Sequence, residues 1–513
     1  MVNLLTSMAH PISIPPNDDH NKTLVSRVHP HDWKNPDPAD KYNLVVVGGG
    51  TAGLVSAAGA AGLGAKVALI ERNLLGGDCL NVGCVPSKTL LAAAHAVTNV
   101  KRAAHFGITI PGEPSVDFPA VMERVRKLRA EISHHDSAER FSRLGVDVFL
   151  GDAKFIDRSS VEVEGAKLFF KKAVVATGGR AAAPPIPGLD KIEYLTNENL
   201  FHLTALPKSL GIIGAGPIGC EMAQAFARLG SKVTLIEAMP SILTREDQDA
   251  ARIVHDALAT DGVEIITGAE DLKLEKEKNG ATRVSLRSSD VTHEITNEKL
   301  LVSVGRKPNL DGLHLEAADV EYNPQGINVD DYLRTSNARI YAAGDVCLSH
   351  KFTHAADFSA RIVIQNALFL GSKKISALNV PWCTYTDPEI AHVGLYEQDA
   401  AERDIDIDTY VKPMAEVDRA LAEDNTHGFV KIHVQKGRGQ IVGATIVARH
   451  AGELISEIAT AMAGNLTLGA LANVIHPYPT QAEAIRLTGD LFNRAKLTPS
   501  VKKAFSQWLK WSR

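Results

Sequence analysis

The 513-residue sequence has few cysteines, few aromatic side chains and no strong excess of either charge. Its five cysteines, Cys79, Cys84, Cys220, Cys347 and Cys383, do not form the dense framework of a small secreted protein. We recognise no signal peptide and expect a cytoplasmic protein, in which a lasting disulfide is catalytic rather than structural. The net charge of −5 gives no reason to expect nucleic acid as a partner.

Uncharged stretches long enough to cross a membrane are also scarce. A window at positions 45–65 carries no charged side chain over 21 residues, a length that can span a bilayer. It is rich in glycine and alanine, and a strand, a glycine turn and a helix explain its pattern better. We interpret it as part of an α/β domain, with a membrane span as the weaker alternative.

Cys79 and Cys84 lie five positions apart in the stretch Gly76-Gly77-Asp78-Cys79-Leu80-Asn81-Val82-Gly83-Cys84-Val85-Pro86-Ser87-Lys88. Zinc sites usually pair cysteines two to four positions apart and need a second pair, which does not follow here. In an ideal helix the two Cα atoms would be roughly 8.5 Å apart, too far for a disulfide. A bridge therefore requires non-helical backbone near Cys79 and Gly83, with regular helix from about Cys84, whose pKa a helix N-terminus would lower. Two unrelated buried thiols are the alternative.

A strand, a glycine turn, a helix and a second strand are predicted over residues 42–71. Gly48 makes the tight turn, Gly50 lets a pyrophosphate approach, and Gly53 allows the helix to pack on the strand. The second strand ends in Glu71, whose carboxylate can accept hydrogen bonds from an adenosine ribose. This is the dinucleotide-binding pattern in its full context.

The same pattern recurs 166 positions later, with Gly214, Gly216 and Gly219 in the turn and Glu237 at the end of the second strand. The acid follows the first glycine by 23 residues in both copies. Two such units imply two dinucleotides, or one dinucleotide and a degenerate copy.

The cysteine stretch resembles the redox-active disulfide motif of the class I pyridine nucleotide-disulfide oxidoreductases, the flavin disulfide reductases. This family includes glutathione reductase, lipoamide dehydrogenase and mercuric reductase, and the resemblance runs from about residue 41 to 490. It implies a Cys79–Cys84 disulfide and a homodimer in which the partner's C-terminal segment completes each active site. Because a flavin is the natural relay between a nicotinamide and a disulfide, we expect FAD in the first unit and NAD(H) in the second.

The implied fold class is α/β, with two Rossmann-like dinucleotide-binding domains and a C-terminal α+β dimerisation domain. The expected segments are an N-terminal arm (1–40), the FAD-binding domain (41–187 and 309–375), the NAD-binding domain (188–308), the interface domain (376–495) and a basic amphipathic tail (496–513).

The resemblance extends to further cofactor-binding positions. A strand enters a tight turn at Thr177 and Gly178, and another strand ends in Gly344 and Asp345, whose carboxylate would face the hydroxyls of the flavin's ribityl chain. The full set expected at FAD also includes Arg72, Gly77 and Lys88, and Gly305 is expected at the nicotinamide nucleotide.

Glu237 favours NADH over NADPH. A carboxylate at that strand end accepts the 2′-hydroxyl of NAD and repels a 2′-phosphate, which prefers arginine. No arginine occurs at positions 238–241. Mercuric reductases generally prefer NADPH, so this expectation differs from the usual preference of that branch.

The resemblance implies an electron relay through four side chains. Lys88, four residues after Cys84 on the same helical face, would lie beside the flavin and pair with Glu221. Cys84 would be the thiolate that contacts the flavin, and Cys79 would attack or bind the acceptor. Replacing Cys79 with serine should abolish acceptor reduction and leave flavin reduction by NADH.

The segment that a partner would supply differs from that of most relatives. Glutathione reductase and lipoamide dehydrogenase have a histidine directly before Pro-Thr, paired with a glutamate five positions on. Here Glu483 is in place, but the histidine position is Tyr478. A tyrosine titrates near pH 10 and is a poor base at neutral pH. His476 could substitute if the loop turned, although a structural role is favoured for it.

Mercuric reductases carry a Pro-Tyr pair at this position, so that branch is the nearest match. Their adjacent C-terminal cysteine pair is missing, since no cysteine follows Cys383. The leading interpretation is a reductase of a metal ion or other soft electrophile. The alternatives are a dihydrolipoamide dehydrogenase, as a subunit of a 2-oxoacid dehydrogenase complex, and a membrane-docked electron-transfer flavoprotein.

Three outlying segments complete the predictions. We expect residues 1–40, with histidines at 10, 20, 29 and 31, to form an extended arm packed loosely on the body. His134, His135 and Asp136 are assigned to a solvated helix face, with a substrate pocket as the alternative. Residues 493–513 hold six basic side chains and no acidic one. We expect an amphipathic helix there that docks on the dimer's own surface, with an anionic membrane surface as the alternative.

Overall fold

The computed structural model describes residues 12–112 and 114–513. Helices and strands are numbered in chain order. The helices are α1 Asp19–Val28, α2 Thr51–Gly62, α3 Gly77–Asn81, α4 Cys84–Arg102, α5 Phe118–Ile132, α6 Ala138–Arg143, α7 Asn197–Leu200, α8 Pro217–Leu229, α9 Gln248–Thr260, α10 Thr353–Leu368, α11 Glu397–Glu402, α12 Asp418–Ala422, α13 Ala451–Ala463, α14 Leu468–Leu471, α15 Glu483–Ala495 and α16 Pro499–Trp511.

The strands fall into several sheets. They are β1 Tyr42–Val47, β2 Val67–Glu71, β3 Val146–Leu150, β4 Ala153–Asp157, β5 Ser160–Val163, β6 Ala166–Val175, β7 Gly179–Ala181, β8 Ser209–Ile213, β9 Lys232–Ile236, β10 Glu264–Ile266, β11 Glu270–Lys276, β12 Thr282–Ser288, β13 Val291–Asn297, β14 Lys299–Val302, β15 Arg306–Pro308, β16 Tyr322–Asn323, β17 Gly326–Ile327, β18 Ile340–Ala342, β19 Trp382–Thr384, β20 Glu389–Gly394, β21 Ile407–Pro413, β22 Phe429–Gln435 and β23 Ile441–Ala448.

The chain divides into two compact units. The first holds the chain up to Gly214, residues 225–233 and residues 270–378; the second holds residues 215–224, 234–269 and 379–513. Residues 379–495 of the predicted interface domain (376–495) fall in the second unit, whereas the predicted NAD-binding segment at 188–308 is shared between the two. The assignment of segments to FAD and NAD domains stays a prediction.

A seven-stranded sheet forms the centre of the first unit. Its order is β3-β2-β1-β6-β5-β4, with β18 also paired to β6, and the pairs β1–β2, β2–β3, β1–β6 and β18–β6 are parallel. Leu44 and Val46 of β1 pack into the core on one face, and Val45 and Val47 into the core on the other. Burial on both faces explains why residues 44–47 of β1 are a continuous run of apolar residues.

The N-terminal arm is not the loosely packed extended segment that its polar composition predicted. Residues 19–28 form α1, which Asp18 caps by accepting a hydrogen bond from the backbone N–H of Asn21. Leu24 and Val28, one turn apart, are fully buried in the core, and Trp33 Nε1 donates to the carbonyl of Val148 at 3.0 Å. The arm is thus part of the first unit. The expectation for residues 1–11, including His10, lies outside the described residues.

The second unit is built on an antiparallel sheet of order β19-β20-β23-β22-β21. Helices α13 and α15 contribute Ile455, Ile458, Ile485 and Phe492 to its core. The predicted strands at 382–385, 429–434 and 441–447 are confirmed within one residue at each end. Among the described residues, no helix combines the length and the apolar character that crossing a membrane requires.

Candidate active site

The first glycine turn connects β1 to α2 and admits no side chain at two positions. Gly48 has φ +107°, and a Cβ there would lie 2.4 Å from the carbonyl oxygen of Ala176. A Cβ on Gly53 would lie 1.7 Å from the carbonyl oxygen of Gly48. At Gly50 the nearest protein atom to such a Cβ is 3.7 Å away, so protein packing does not require glycine there. The open space at Gly50 fits the close approach of a pyrophosphate.

Glu71 is held at the end of β2 by two backbone groups. Its Oε2 accepts from the N–H of Gly49 at 2.5 Å, and its Oε1 accepts from the N–H of Asn73 at 2.7 Å. Burial raises the pKa of Glu71, while these two hydrogen bonds and the neighbouring Arg72 lower it. The carboxylate is thereby fixed beside the turn, where the ribose of a bound dinucleotide would lie.

The second turn repeats this arrangement. Gly214 has φ +98°, and the Oε2 of Glu237 accepts from the N–H of Ala215 at 2.7 Å. The Oε1 of Glu237 accepts from the N–H of Met239 at 3.0 Å. Each donor lies 166 positions after its counterpart at Glu71, so the sequence repeat is retained in its hydrogen bonds.

The second turn also leaves room for a dinucleotide. A Cβ on Gly216 would meet no atom within 4 Å, and Gly219 is buried in the first turn of α8. Gly305 has φ +135° with open space at its Cβ position. Both glycine turns therefore fit the group that the sequence predicts for them.

The cysteine segment packs directly against the first glycine turn. Gly77, the first residue of α3, has φ +56°, and a Cβ on it would lie 2.7 Å from the Cα of Gly50. Only two glycines allow the backbones to come this close. Cys79, two residues further on, is thus carried to the edge of the dinucleotide turn.

The backbone between Cys79 and Cys84 corrects one prediction. Cys79 lies within the short helix α3 rather than in non-helical chain. The break occurs at Val82 and Gly83, where a Cβ on Gly83 would lie 2.7 Å from the carbonyl oxygen of Asp78, and α4 begins at Cys84 as expected. Both cysteines are unbridged thiols in the structure.

The two thiols have different environments. A hydrogen bond with Cys84 and burial raise the pKa of Cys79, and the nearby Asp136 adds to that effect. Cys84 is the first residue of α4, and its Sγ lies 3.4 Å from the hydroxyl oxygen of Thr353, the first residue of α10. Because helix N-termini stabilise negative charge, this arrangement favours a thiolate on Cys84, whose role in the reduced pair stays a prediction.

Arg306 connects the cysteine helix to the second predicted flavin motif. Its guanidinium pairs with Asp78, next to Cys79, and its Nε lies 3.4 Å from the Oδ2 of Asp345. It also donates to the carbonyl of Gly179 at 2.7 Å. Burial lowers the pKa of Arg306, but Asp78 and Asp345 outweigh it and raise that pKa. Burial raises the pKa of Asp345, whereas Arg306 lowers it.

The remaining predicted flavin positions lie close to this cluster. Thr177 donates its hydroxyl to the carbonyl of Asn309 at 2.7 Å, and Gly178 has φ +67°. Gly344 has φ +76°, and its N–H donates to the Oγ of Ser359 at 3.1 Å. These contacts fix the backbone on which Asp345 is presented.

Asp136 lies closer to the Cys79 segment than the sequence indicated. His134 and His135 are exposed, as expected of a solvated surface. Asp136 turns inward, and its Oδ2 would lie 2.9 Å from a Cβ built on Gly76. Burial raises the pKa of Asp136, while Arg140 and the two histidines lower it.

Lys88 and Glu221 lie in different units, and their pairing stays a prediction. Lys88 is half-buried, one turn after Cys84 on α4. Glu221 is buried in α8, where its Oε1 accepts from the N–H of Tyr385 at 2.9 Å. Each is held on a helix that also carries part of a predicted cofactor site.

The predicted partner-supplied segment lies before α15. Tyr478 is 70% exposed and donates its hydroxyl to the Oδ2 of Asp418 at 2.8 Å, and this carboxylate raises the pKa of Tyr478. Glu483 accepts from the guanidinium of Arg486 at 2.8 Å. The Nε2 of His476 lies 2.9 Å from the Oε1 of Glu457, and its Nδ1 lies 3.1 Å from the carbonyl oxygen of Val474. Both nitrogens of His476 are engaged, which favours the structural role.

Two family models match the chain. "Pyridine nucleotide-disulphide oxidoreductase" matches residues 42–360, and "Pyridine nucleotide-disulphide oxidoreductase, dimerisation domain" matches residues 380–488. The chain belongs to this family. The predicted fold class, with two dinucleotide-binding domains and a C-terminal dimerisation domain, is thereby confirmed. Members of this family bind FAD and NAD(P)H, and the dimerisation domain of this chain supports a homodimer.

Three relatives show the range of the family around this chain. A mercuric reductase from Lysinibacillus sphaericus is 37% identical over 89% of this chain and 83% of its own length. A dihydrolipoyl dehydrogenase from Geobacillus stearothermophilus is 34% identical over 87% and 95%. The Cu(II) complex of the HOCl-induced flavoprotein disulfide reductase RclA from Escherichia coli is 30% identical, with a TM-score of 0.77 over 86% of this chain and 98% of that one. These similarities support the mercuric reductase-like branch.

Proposed function

We propose that this flavin disulfide oxidoreductase uses NADH to reduce a thiophilic metal ion or another soft electrophile bound at Cys79 and Cys84. The observation that carries the proposal is the state of Tyr478. Its hydroxyl donates to Asp418, and this contact raises its pKa. A protonated phenol cannot take the proton that a dithiol must lose during disulfide exchange. It is compatible with reduction of a metal ion bound to sulfur, because that reaction does not require a general base at this position.

The relatives support this acceptor class without fixing its identity. One similar protein is named a mercuric reductase, and the RclA structure is a Cu(II) complex. Thiolates are preferred ligands of soft metal ions. Cys79 and Cys84, joined by a hydrogen bond, are suited to hold such an ion between two sulfurs.

Bound FAD supplies the two-electron relay between the nicotinamide and the sulfur pair. The Cys79–Cys84 disulfide takes up two electrons and two protons to become two thiols. Cys84 loses its proton readily because two helix N-termini and the Thr353 hydroxyl stabilise its thiolate. Cys79 retains its proton until a metal ion binds and displaces it. For a divalent ion that accepts two electrons, one NADH yields one reduced metal atom, NAD⁺ and one proton.

The choice of NADH rests on Glu237. Its carboxylate is fixed by the N–H groups of Ala215 and Met239 at the end of β9. A 2′-phosphate at that place would meet this negative charge, and residues 238–241 offer no arginine to offset it. We expect the kcat/KM for NADH to exceed that for NADPH by at least about tenfold.

An acceptor screen under NADH tests the proposal. Hg(II), Cu(II), lipoamide and oxidised glutathione are compared as acceptors for the FAD-loaded enzyme. We expect metal-dependent NADH oxidation that Cys79→Ser abolishes. The kcat/KM for lipoamide should be lower than that for the metals by about a hundredfold or more, since the loss of a general base lowers a rate by about 10²–10⁴-fold. Turnover of lipoamide that equals or exceeds turnover of the metals would refute the proposal.

A second variant tests the argument about the base. Tyr478→His should raise lipoamide turnover, because it restores a group that titrates near pH 6.5. Tyr322→His is the matched control, since Tyr322 is also exposed and donates to a carboxylate, that of Glu316. The control should leave lipoamide turnover unchanged.

A second candidate function is that of a dihydrolipoyl dehydrogenase. The 34% identity to a dihydrolipoyl dehydrogenase favours it, and His476 would have to leave Glu457 or the carbonyl of Val474 to act as the general base. Substitution of His476→Gln distinguishes the two functions. It would abolish lipoamide turnover under the second function, and under the first it leaves metal reduction within about threefold of the parent enzyme.

A further inference from the structure

Helix α16 is an amphipathic helix that is exposed over most of its length. Not one of its residues is buried. Trp508 and Trp511 are 62% and 78% exposed, and Phe505 and Leu509 are exposed beside them. The two indole rings lie against each other with centroids 5.2 Å apart. An apolar surface of this kind usually marks a site of contact with another phase or molecule.

The apolar and basic side chains occupy defined parts of the helix. At 100° per residue, the apolar face runs through an arc of roughly 160° that contains Val501, Phe505, Trp508, Leu509 and Trp511. The lysines flank or oppose this face. Helices that lie in a membrane interface have this distribution, because tryptophan prefers the headgroup level and lysine stems reach past the apolar face to the phosphates.

A shallow groove of about 320 Å³ runs along one flank of α16. Its apolar part is formed by Leu497, Phe505 and Leu509, and its basic part by Lys502, Lys510 and Arg513. An apolar floor edged by three cations matches a molecule that joins hydrocarbon to an anionic headgroup.

The charge of the segment disfavours contact with a second copy of itself and favours an anionic surface. Residues 493–513 contain six basic side chains and no acidic one, although the whole chain has a net charge of −5. A second copy of the segment would bring six positive charges against six in a two-fold contact, which is repulsive. An anionic bilayer attracts each of those charges. At 13 residues, α16 is about 20 Å long, shorter than the roughly 30 Å of a bilayer core, so it can lie on a membrane but not cross it.

We propose that α16 docks this oxidoreductase on the surface of a bilayer containing anionic phospholipids, with Trp508 and Trp511 at the level of the headgroups. The docking is reversible and sensitive to salt, because it combines a short apolar face with screened electrostatic attraction. It reverses the preference for docking on the dimer that the sequence suggested.

Vesicle flotation of the FAD-loaded, full-length enzyme tests the proposal. Vesicles of phosphatidylcholine alone are compared with vesicles that also contain phosphatidylserine or phosphatidylglycerol. We expect at least tenfold more enzyme on the anionic vesicles and loss of most of that binding in 0.5 M NaCl. Binding that ignores vesicle charge and salt, or its absence from anionic vesicles, would overturn the proposal.

Paired variants locate the effect on α16. Two double variants should each lower flotation at least tenfold. One combines Trp508→Ser with Trp511→Ser, and the other combines Lys502→Glu with Lys503→Glu. The matched controls alter exposed side chains elsewhere and should bind as the parent does. Phe169→Ser with Phe369→Ser matches the tryptophan variant, and Lys436→Glu with Arg438→Glu matches the lysine variant. Unchanged NADH oxidation by every variant establishes that the proteins are folded. Equal loss in variants and controls would contradict the assignment to α16.

Light scattering distinguishes the lipid surface from a second copy of the chain. Under the proposal, the molar mass is the same for the parent and for the Trp508→Ser, Trp511→Ser variant. A shift of that variant from dimer to monomer, without lipid binding by the parent, would show that the apolar face instead packs between subunits.

Discussion

The Sγ of Cys84 lies 3.4 Å from the hydroxyl oxygen of Thr353, although 269 positions separate the two residues. Both are the first residues of helices, α4 and α10, so two helix N-termini meet at one sulfur atom. The sequence predicted the first of these termini, but nothing local to the cysteine motif indicated the second. Together they support the prediction that Cys84 carries the thiolate of the reduced pair.

Replacing Thr353 with valine should therefore raise the pKa of Cys84 by about one unit, since a hydrogen bond to a charged group is worth roughly 1.5–3 kcal/mol and sulfur is a weak acceptor. The rate of alkylation of the reduced enzyme by iodoacetamide, followed against pH, measures this pKa. Thr353→Ser keeps the hydroxyl and is the matched control. A pKa that is the same in the valine and serine variants would show that the contact does not stabilise the thiolate.

Arg306 should be essential for the retention of FAD. In Arg306→Gln, the half-buried Asp78 and the more buried Asp345 lose their shared cation, and the unfolding free energy should fall by about 2–3 kcal/mol. We expect a lower melting temperature and release of FAD on gel filtration. Arg283→Gln, which removes an ion pair with Glu277 at the surface, is the control and should leave both properties nearly unchanged. Full FAD retention by Arg306→Gln would count against this role.

Glu389 should make the enzyme less stable as the pH rises. Burial raises its pKa from 4.5 to about 7, so the folded state keeps a proton that the unfolded state has lost between those values. Its contribution to the unfolding free energy therefore falls from about pH 4.5 to above pH 7 and is constant beyond. Glu389→Gln should be more stable than the parent by about 3 kcal/mol at pH 8 and equally stable at pH 4.

Urea denaturation at the two pH values measures that difference. The N–H of Gly452 donates to Glu389 and can still donate to the glutamine oxygen, so the substitution keeps this contact. Glu402→Gln, at an exposed position, is the control. A gain in stability that is the same at both pH values would have to come from packing rather than from ionisation.

Asp136 should affect the reactivity of Cys79. Its negative charge contributes to the raised pKa of that thiol, so Asp136→Asn should lower this pKa and increase the alkylation rate of Cys79 at neutral pH. Glu139→Gln, three residues away and exposed, is the control. Peptide mapping by mass spectrometry separates alkylation at Cys79 from that at Cys84. Unchanged alkylation at Cys79 would contradict the electrostatic link.

Local patterns predicted most of the backbone framework. The glycine turns, the acids Glu71 and Glu237 and the start of α4 follow from residue spacing, because strand, turn and helix geometry is set by neighbours in the chain. The arm was predicted wrongly although its signals were present. Asp18 provides an N-cap, and Leu24 and Val28 are spaced by one helical turn, but its polar residues and prolines concealed them.

Tertiary contacts account for what the sequence did not reveal. Arg306 follows Gly305, the only residue of this segment to which the sequence assigned a role, and it reaches Asp78 because β15 pairs with β7. Asp136 looked like one member of a solvated surface because its histidine neighbours are exposed. Thr353 had no distinguishing pattern at all. In each case the partner is distant in the chain, and the spacing of neighbouring residues carries no information about it.

The central claim is that Cys79 and Cys84 exchange an electron pair with NADH as a disulfide. It is tested most directly by counting thiols in the denatured FAD-loaded enzyme before and after anaerobic reduction by one equivalent of NADH. The chain has five cysteines, so the account predicts three reactive thiols before reduction and five after it, with Cys79 and Cys84 as the new pair. A count that NADH does not change would contradict it.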